Sequence, residues 1–250
     1  MKRIDSIQNP SIKAWKKLLT KKGRENAKKY IIEGLHLVEE AIKNDAPILH
    51  LLICEEIDIP ATFTTGSYEV TYISTEVSKA LSETETTQGV FAIVEFDFMR
   101  VDIKSINKVI LLDEIQDPGN VGTIIRTADA AGFDAVILGK GSCDLYNGKT
   151  IRSTQGSIFH IPIIRGDLHE WITNLKQENI KVFGTALEGA KPYKESSKVE
   201  RFAILLGNEG NGVNKELLAI TDENVYIPII GKAESLNVGV AAGVLMYGLS

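Results

Sequence analysis

LLDEIQDPGNVGTIIRTADAAGFDAVIL, Leu111–Leu138, is an apolar run that ends in an Asp-Pro-Gly-Asn turn, passes into an amphipathic helix and returns to a second apolar run. That order is one βαβ unit, and its polar residues Asn120 and Arg126 stand at and just after the strand-to-helix turn, where such units place their chemistry. Two later segments, LLGNEGNGVNKEL (Leu205–Leu217) and IPIIGKAESLNVGVAAGVLMYGL (Ile227–Leu249), repeat the plan of apolar strand, polar Gly-containing loop and helix. Three such loops in one small domain imply a shared pocket.

Strand and helix patterns alternate regularly from about residue 108 onward. The strands are KVILLD, DAVILG, IFHIPII, KVFGTAL, RFAILLG and NVYIPI, and the helices fall near 121–131, 147–156, 168–178, 212–220 and 237–249. Near-continuous apolar strands in that setting predict a mainly parallel sheet covered on both faces. The earlier half mixes a basic helix, KKYIIEG, a helix at HLVEEAIKN, strands at ILHLLICEE and EVTYIS, a short helix at VSKALSE and a closing strand at GVFAIVEF. The expected division is a domain at 1–96, a linker at 97–108 where the periodicity breaks, and a domain at 109–250. The polar run Ser82–Gln88 reads as an exposed loop whose hydroxyls face RNA or water.

At 250 residues, 44% hydrophobic and 24% charged, the chain has the composition of an ordinary globular protein. No apolar run approaches the ~20 residues that cross a bilayer, and the first residues lack the apolar core of a signal peptide. Cytoplasm is the expected location, with no membrane partner. Cys54, Cys143 and the four histidines, His36, His50, His160 and His169, show no metal-ligand spacing, so no metal is expected.

The total charge of −5 hides an asymmetry: residues 1–29 carry ten Lys or Arg against Asp5 and Glu25, a net +8, and the remainder carries −13. Lys16, Lys17, Lys21 and Lys22 on this arm read either as phosphate contacts or as a solvated helix face. Ile12, Trp15, Leu18 and Leu19 fall at helical spacing for inward packing.

A dinucleotide site is excluded, because the turn Asp117–Gly122 lacks G-x-G-x-x-G and Gly207–Gly212 has its glycines in the wrong order, with Glu209 placed to repel a phosphate. An acidic residue in a Gly-rich loop suits a cationic or neutral nucleoside instead. Arg126 projects opposite the stripe Val121, Ile124, Ala128 and Ala131; the bland alternative is an exposed i, i+3 pair with Asp129. Asn120 reads equally as a helix N-cap, Glu209 as a carboxylate near a helix start, and Ser235 and Asn237 as the start of the last helix.

Taken together, Asn120…Arg126 in PGNVGTIIRTADAAG, Gly207-x-Glu209 in LLGNEGNG, and Ile227-Pro228 followed by Ser235-Leu236-Asn237 resemble the three motifs of the SpoU/TrmH family (SPOUT superfamily) of S-adenosylmethionine-dependent RNA 2′-O-ribose methyltransferases. The resemblance covers essentially the whole chain. It implies an α/β fold: a C-terminal SPOUT domain with a mainly parallel sheet and a trefoil knot, and a small N-terminal α/β substrate-binding domain resembling a ribosomal protein, with IIEGLHLVEEAI its most recognisable segment. It also implies a homodimer. By the resemblance, Gly207, Ile227 and Leu236 hold S-adenosylmethionine through their backbone, while Asn120, Arg126, Glu209, Ser235 and Asn237 serve catalysis and substrate positioning.

Family schemes make the arginine the base, but a guanidinium with a pKa above ~12 is a poor one. Arg126 is therefore expected to orient the target phosphate and polarise the hydroxyl. Arg152 and Ser153, in KTIRSTQG, are expected RNA contacts. A separate N-terminal recognition domain points to ribosomal RNA rather than transfer RNA. The alternatives are a transfer-RNA methyltransferase or an inactive RNA-binding protein of the same fold.

Overall fold

The computed structural model describes residues 2–97 and 101–250; residues 98–100 of the expected linker lie outside the described residues. Two compact units are formed, one by Met1–Asp97 with Tyr146–Phe159 and the other by Phe98–Leu145 with His160–Ser250.

The first unit contains β1 (Lys2–Ile4), α1 (Pro10–Lys16), α2 (Lys21–Ala27), β2 (Lys29–Glu33), α3 (Leu35–Lys43), β3 (Ile48–Cys54), β4 (Val70–Ile73), α4 (Thr75–Leu81) and β5 (Val90–Glu95). Its sheet runs β1-β4-β3-β5-β2. The first three are mutually parallel, and β5 is antiparallel to β3 and β2. The basic arm is two short helices where the spacing predicts one. After a 3-10 turn at Lys17–Leu19, Thr20 is extended (φ −105°, ψ 144°) and its side chain accepts from Gly23 N. Gly23 is needed there, because a Cβ would lie 1.9 Å from the Lys17 carbonyl oxygen. Ile12, Trp15 and Leu18 are buried against Ile4, Leu52, Phe91 and Ile93, whereas Lys16, Lys17, Lys21 and Lys22 are exposed. Arg24 turns inward, 4% exposed, and donates to Leu18 O at 2.8 Å.

The Ser82–Gln88 run is not simply open to solvent. The buried Glu33 carboxylate accepts from Ser82 Oγ, Thr87 Oγ1 and Gln88 N, each at 2.8 Å. Those donors are what make burial of the carboxylate tolerable.

The second unit is built on β6 (Lys108–Leu112), α5 (Pro118–Ala130) and β7 (Ala135–Leu138). The next helix, α6 (Gly148–Thr154), belongs to the first unit. The second unit resumes with β8 (Ile163–Arg165), α7 (Leu168–Gln177), β9 (Lys181–Thr185), β10 (Lys191–Pro192), β11 (Phe202–Leu206), α8 (Lys215–Ala219), β12 (Glu223–Tyr226) and α9 (Val238–Leu249). The sheet order is β10-β12-β9-β11-β6-β7-β8, with every pair parallel. Val109–Leu112, Ala135–Leu138 and Phe202–Leu206 are buried throughout, as strands covered on both faces must be.

Three details depart from the sequence reading. The IFHIPII stretch is a 3-10 turn at Ser157–Phe159 followed by the short β8, Pro162 having no N–H to give a ladder. β12 stops at Tyr226, so Ile227-Pro228 opens a loop rather than closing a strand. The segment around α6 joins the first unit because Tyr146 stacks on Phe96 at 4.1 Å and lies 4.5 Å from Tyr30.

Glu33→Ala leaves three part-buried donors without this acceptor. It is expected to lower the stability of the first unit by about 2 kcal/mol, read as a shift in its urea midpoint, with Glu33→Gln costing less.

Candidate active site

Because the sheet is parallel, the loops leaving β6, β9, β11 and β12 emerge at one edge, the carboxyl ends of the strands. At the start of α5 the N-cap is Asp117, not Asn120: Asp117 Oδ1 accepts from Asn120 N at 3.0 Å, and Pro118 takes the first helical position. That frees the Asn120 side chain to join the other loops. Its Nδ2 donates to Glu209 Oε1 at 3.0 Å, and its Oδ1 accepts from Asn237 Nδ2 at 2.9 Å. Asn237 caps α9, its Oδ1 accepting from Gly239 N at 2.9 Å and Val240 N at 3.3 Å. Asn120 from the first turn of α5, Glu209 from the loop after β11 and Asn237 at the start of α9 thus form one hydrogen-bonded chain running from a helix N-terminus to a carboxylate.

Glu209 is exposed yet held. It also accepts from Gln116 N at 3.2 Å and Asp117 N at 3.1 Å. Partial desolvation alone pushes its pKa up, but hydrogen bonds from Asn120 and from the backbone N–H groups of Glu209, Asp117 and Gln116 outweigh that, and the net shift is downward. The carboxylate form is the one this cradle selects. Beside it, Gly207 is buried under its own turn, where a Cβ would meet Val213 N at 2.1 Å. The Asn208–Gly212 turn closes over it with Gly212 N donating to Asn208 O at 2.9 Å.

Arg126 lies six residues beyond Asn120 on α5, about 9 Å further along the axis, and is exposed. The i, i+3 pair with Asp129 is not formed; Asp129 pairs with His160 at 2.9 Å, and Arg126 has no ion pair among the described residues. Helix α9 packs along α5: a Cβ on Gly239 would lie 3.2 Å from Thr123 Cγ2, and Tyr247 donates its hydroxyl to Ala130 O at 3.3 Å. The glycines of the last helix therefore have a packing reason.

Ile227 opens and Leu236 nearly closes the loop between β12 and α9. Ser235 is exposed and is not joined to the Asn120 cluster. Residues 228–236 make no hydrogen bond among the described residues, so their backbone polar groups are open to a ligand. Leu187, 81% exposed, follows β9, which lies between β11 and β12. Exposed apolar side chains with open backbone N–H and C=O groups fit the faces and edge of a nucleoside, so the loops suit S-adenosylmethionine.

In the first unit, Arg152 pairs with Glu83 at 3.6 Å, and Ser153 Oγ donates to Lys149 O at 2.8 Å. The sequence reading missed Asp117 and Asn208. An Asp-Pro pair before a helix was a usable signal for the first. Among the described residues no cluster of three or more His, Cys, Asp or Glu is placed to hold a metal, and no helix is long and apolar enough to cross a membrane.

Residues 107–247 match the SpoU rRNA Methylase family, and residues 9–92 match the MRM3-like substrate binding domain. The chain belongs to the SpoU rRNA methylase family. It is 48% identical, over its full length and 99% of the relative, to the 23S rRNA (guanosine(2553)-2'-O)-methyltransferase RlmP of Bacillus subtilis (strain 168). Among solved structures, it resembles an AdoMet-bound rRNA methyltransferase from Sinorhizobium meliloti (31% identical, TM-score 0.87, covering 99% of this chain and 97% of that one). A TrmH/SpoU tRNA modifying enzyme of A. aeolicus matches 59% of this chain and 77% of its own, at 25% identity and TM-score 0.50.

With its pKa lowered by folding, Glu209 adds stability that is full above the unfolded carboxyl value of about 4.3 and is lost as the pH falls below it, through the folded value. The melting-temperature gap between wild type and Glu209→Gln is expected to be constant from about pH 5 to about 7 and to close in acid.

Proposed function

We propose that this protein transfers a methyl group from S-adenosylmethionine to a ribose 2′-hydroxyl of large-subunit ribosomal RNA, at the nucleotide equivalent to the guanosine named for the Bacillus subtilis relative. The observation that carries the reading is the Asn120–Glu209–Asn237 interlock at the carboxyl ends of a parallel sheet, in a chain of the SpoU family. The matched N-terminal substrate-binding domain supports ribosomal over transfer RNA, since the transfer-RNA enzyme matches little more than half of the chain.

S-adenosylmethionine supplies the methyl on a positively charged sulfur. The sugar oxygen must attack the methyl carbon in line with the carbon–sulfur bond, which breaks as the new carbon–oxygen bond forms, and its proton passes to solvent water. Gly207, Ile227 and Leu236 hold the donor through their backbone, and Leu187 adds apolar contact. Glu209, kept ionised by its donors, sets a negative charge beside loops that take a cationic ligand. Asn120 and Asn237 fix that carboxylate in place, and Ser235 positions the ribose. Arg126, free of Asp129, orients the target phosphate and polarises the hydroxyl. Exposed Lys16, Lys17, Lys21 and Lys22 neutralise RNA phosphates, and Ser153 and Arg152 add contacts, Arg152 leaving Glu83 for a phosphate.

The reading includes a homodimer, supported by the exposure of Ile230 (100%), Tyr247 (64%) and Val240 (54%). It also includes a knotted C-terminus. The chain steps from β9 to the edge strand β10, back to β11 and out again to β12, a path that crosses β9 repeatedly. Action on ribosomal RNA goes with a cytoplasmic location.

Arg126→Ala is expected to lower methyl transfer by about 10³-fold or more while leaving S-adenosylmethionine affinity, by calorimetry, close to wild type; equal loss of both would refute this division of roles. Mapping ribose methylation across total RNA, with and without the gene, is expected to show one large-subunit position lost. A missing transfer-RNA methyl instead would overturn the target.

A further inference from the structure

Asn208 stands between Gly207 and Glu209, half-buried, and both ends of its amide are used. Its Oδ1 accepts from Gly210 N at 2.9 Å and Asn211 N at 3.1 Å, closing the turn. Its Nδ2 leaves the turn altogether and donates to Glu114 O at 2.9 Å. Glu114 has φ +53°, the left-handed region that a residue other than glycine occupies at a cost.

Adjacent residues of the β11 loop therefore bond to neighbouring points of the β6–α5 loop in opposite senses. Asn208 gives a hydrogen to Glu114 O, while Glu209 takes hydrogens from Gln116 N and Asp117 N. Asp113 Oδ2 adds a third tie by accepting from Asn214 N at 2.8 Å. The Gln116, Asp117 and Asn120 donors hold the Glu209 carboxylate itself, while the Asn208 bond, one residue away and directed oppositely, ties the turn that carries Glu209 to the same loop. Closing the turn needs only the oxygen, which Ser or Asp supplies as well; the amide nitrogen has no part in it.

We propose that Asn208 is a positioning residue, acting through the Glu114 carbonyl to hold the Glu209 carboxylate on the Gln116 and Asp117 amides; its catalytic consequence rests on the methyltransferase reading above. Asn208→Ser and Asn208→Asp both keep an acceptor for the turn and lose the donor to Glu114. In both, amide exchange at Gln116 and Asp117 is expected to quicken about tenfold or more. The kcat for methyl transfer is expected to fall by a similar factor, with RNA KM and S-adenosylmethionine Kd within about threefold of wild type.

Unchanged exchange in either variant overturns the proposal, as does loss of S-adenosylmethionine binding in step with kcat, which marks collapse of the whole loop. Retained activity in the Ser variant with loss only in the Asp variant also overturns it, because charge would then be the cause. An inactive wild type would count against the methyltransferase reading alone, and the exchange comparison would still decide the role of Asn208.

Discussion

A carboxamide offers a donor at one end and an acceptor at the other, and Asn120 spends one on each of two loops that are remote in sequence. Its nitrogen gives to Glu209 and its oxygen takes from Asn237. Neither partner leaves room for a reversed amide, since a carboxylate accepts only and the Asn237 oxygen is already committed to the N-terminus of α9. One side chain thereby fixes the registry of the β6–α5, β11–α8 and β12–α9 loops. Positive partial charge at the last helix start is passed, bond by bond, toward a carboxylate that stays ionised.

The sheet makes that contact available. Parallel strands deliver all their outgoing loops to one edge, so residues more than a hundred positions apart meet without long excursions of chain. Close approach then selects glycine. Gly207 admits no Cβ beneath its turn, and Gly239 lets α9 lie against Thr123 of α5. The same packing sets Arg126 on the helix whose first turn carries Asn120, which separates the two functions along one rigid rod instead of spreading them over flexible loops.

The first unit solves a different problem, how to carry a strongly basic arm on a folded surface. Its two short helices put Ile12, Trp15 and Leu18 inside and the lysines outside, so inward packing and an exposed cationic face are both satisfied by one amphipathic pattern. Arg24, part of the same charge run, is spent on a carbonyl inside. Charge counts along a sequence thus overstate what a surface presents.

Periodicity and turn chemistry were enough to place β6, α5, β7 and β11, and the Asp-Pro-Gly-Asn and Gly-Asn-Glu-Gly segments marked the loops that matter, because local steric and hydrogen-bonding rules act within a few residues. The break of the basic arm at Thr20, the end of β12 at Tyr226, the inward turn of the Ser82–Gln88 hydroxyls and the membership of α6 in the first unit were not legible. Two of these are settled by partners far away in the chain: Glu33 for the hydroxyls, Tyr30 and Phe96 for the segment around α6. For the site, residue types and spacing named Asn120, Glu209 and Asn237 as polar groups with competing local explanations. Only the folded chain could occupy Asp129 with His160 and bring the three together, since a hydrogen bond between loops exists only once the sheet has aligned the strands that carry them.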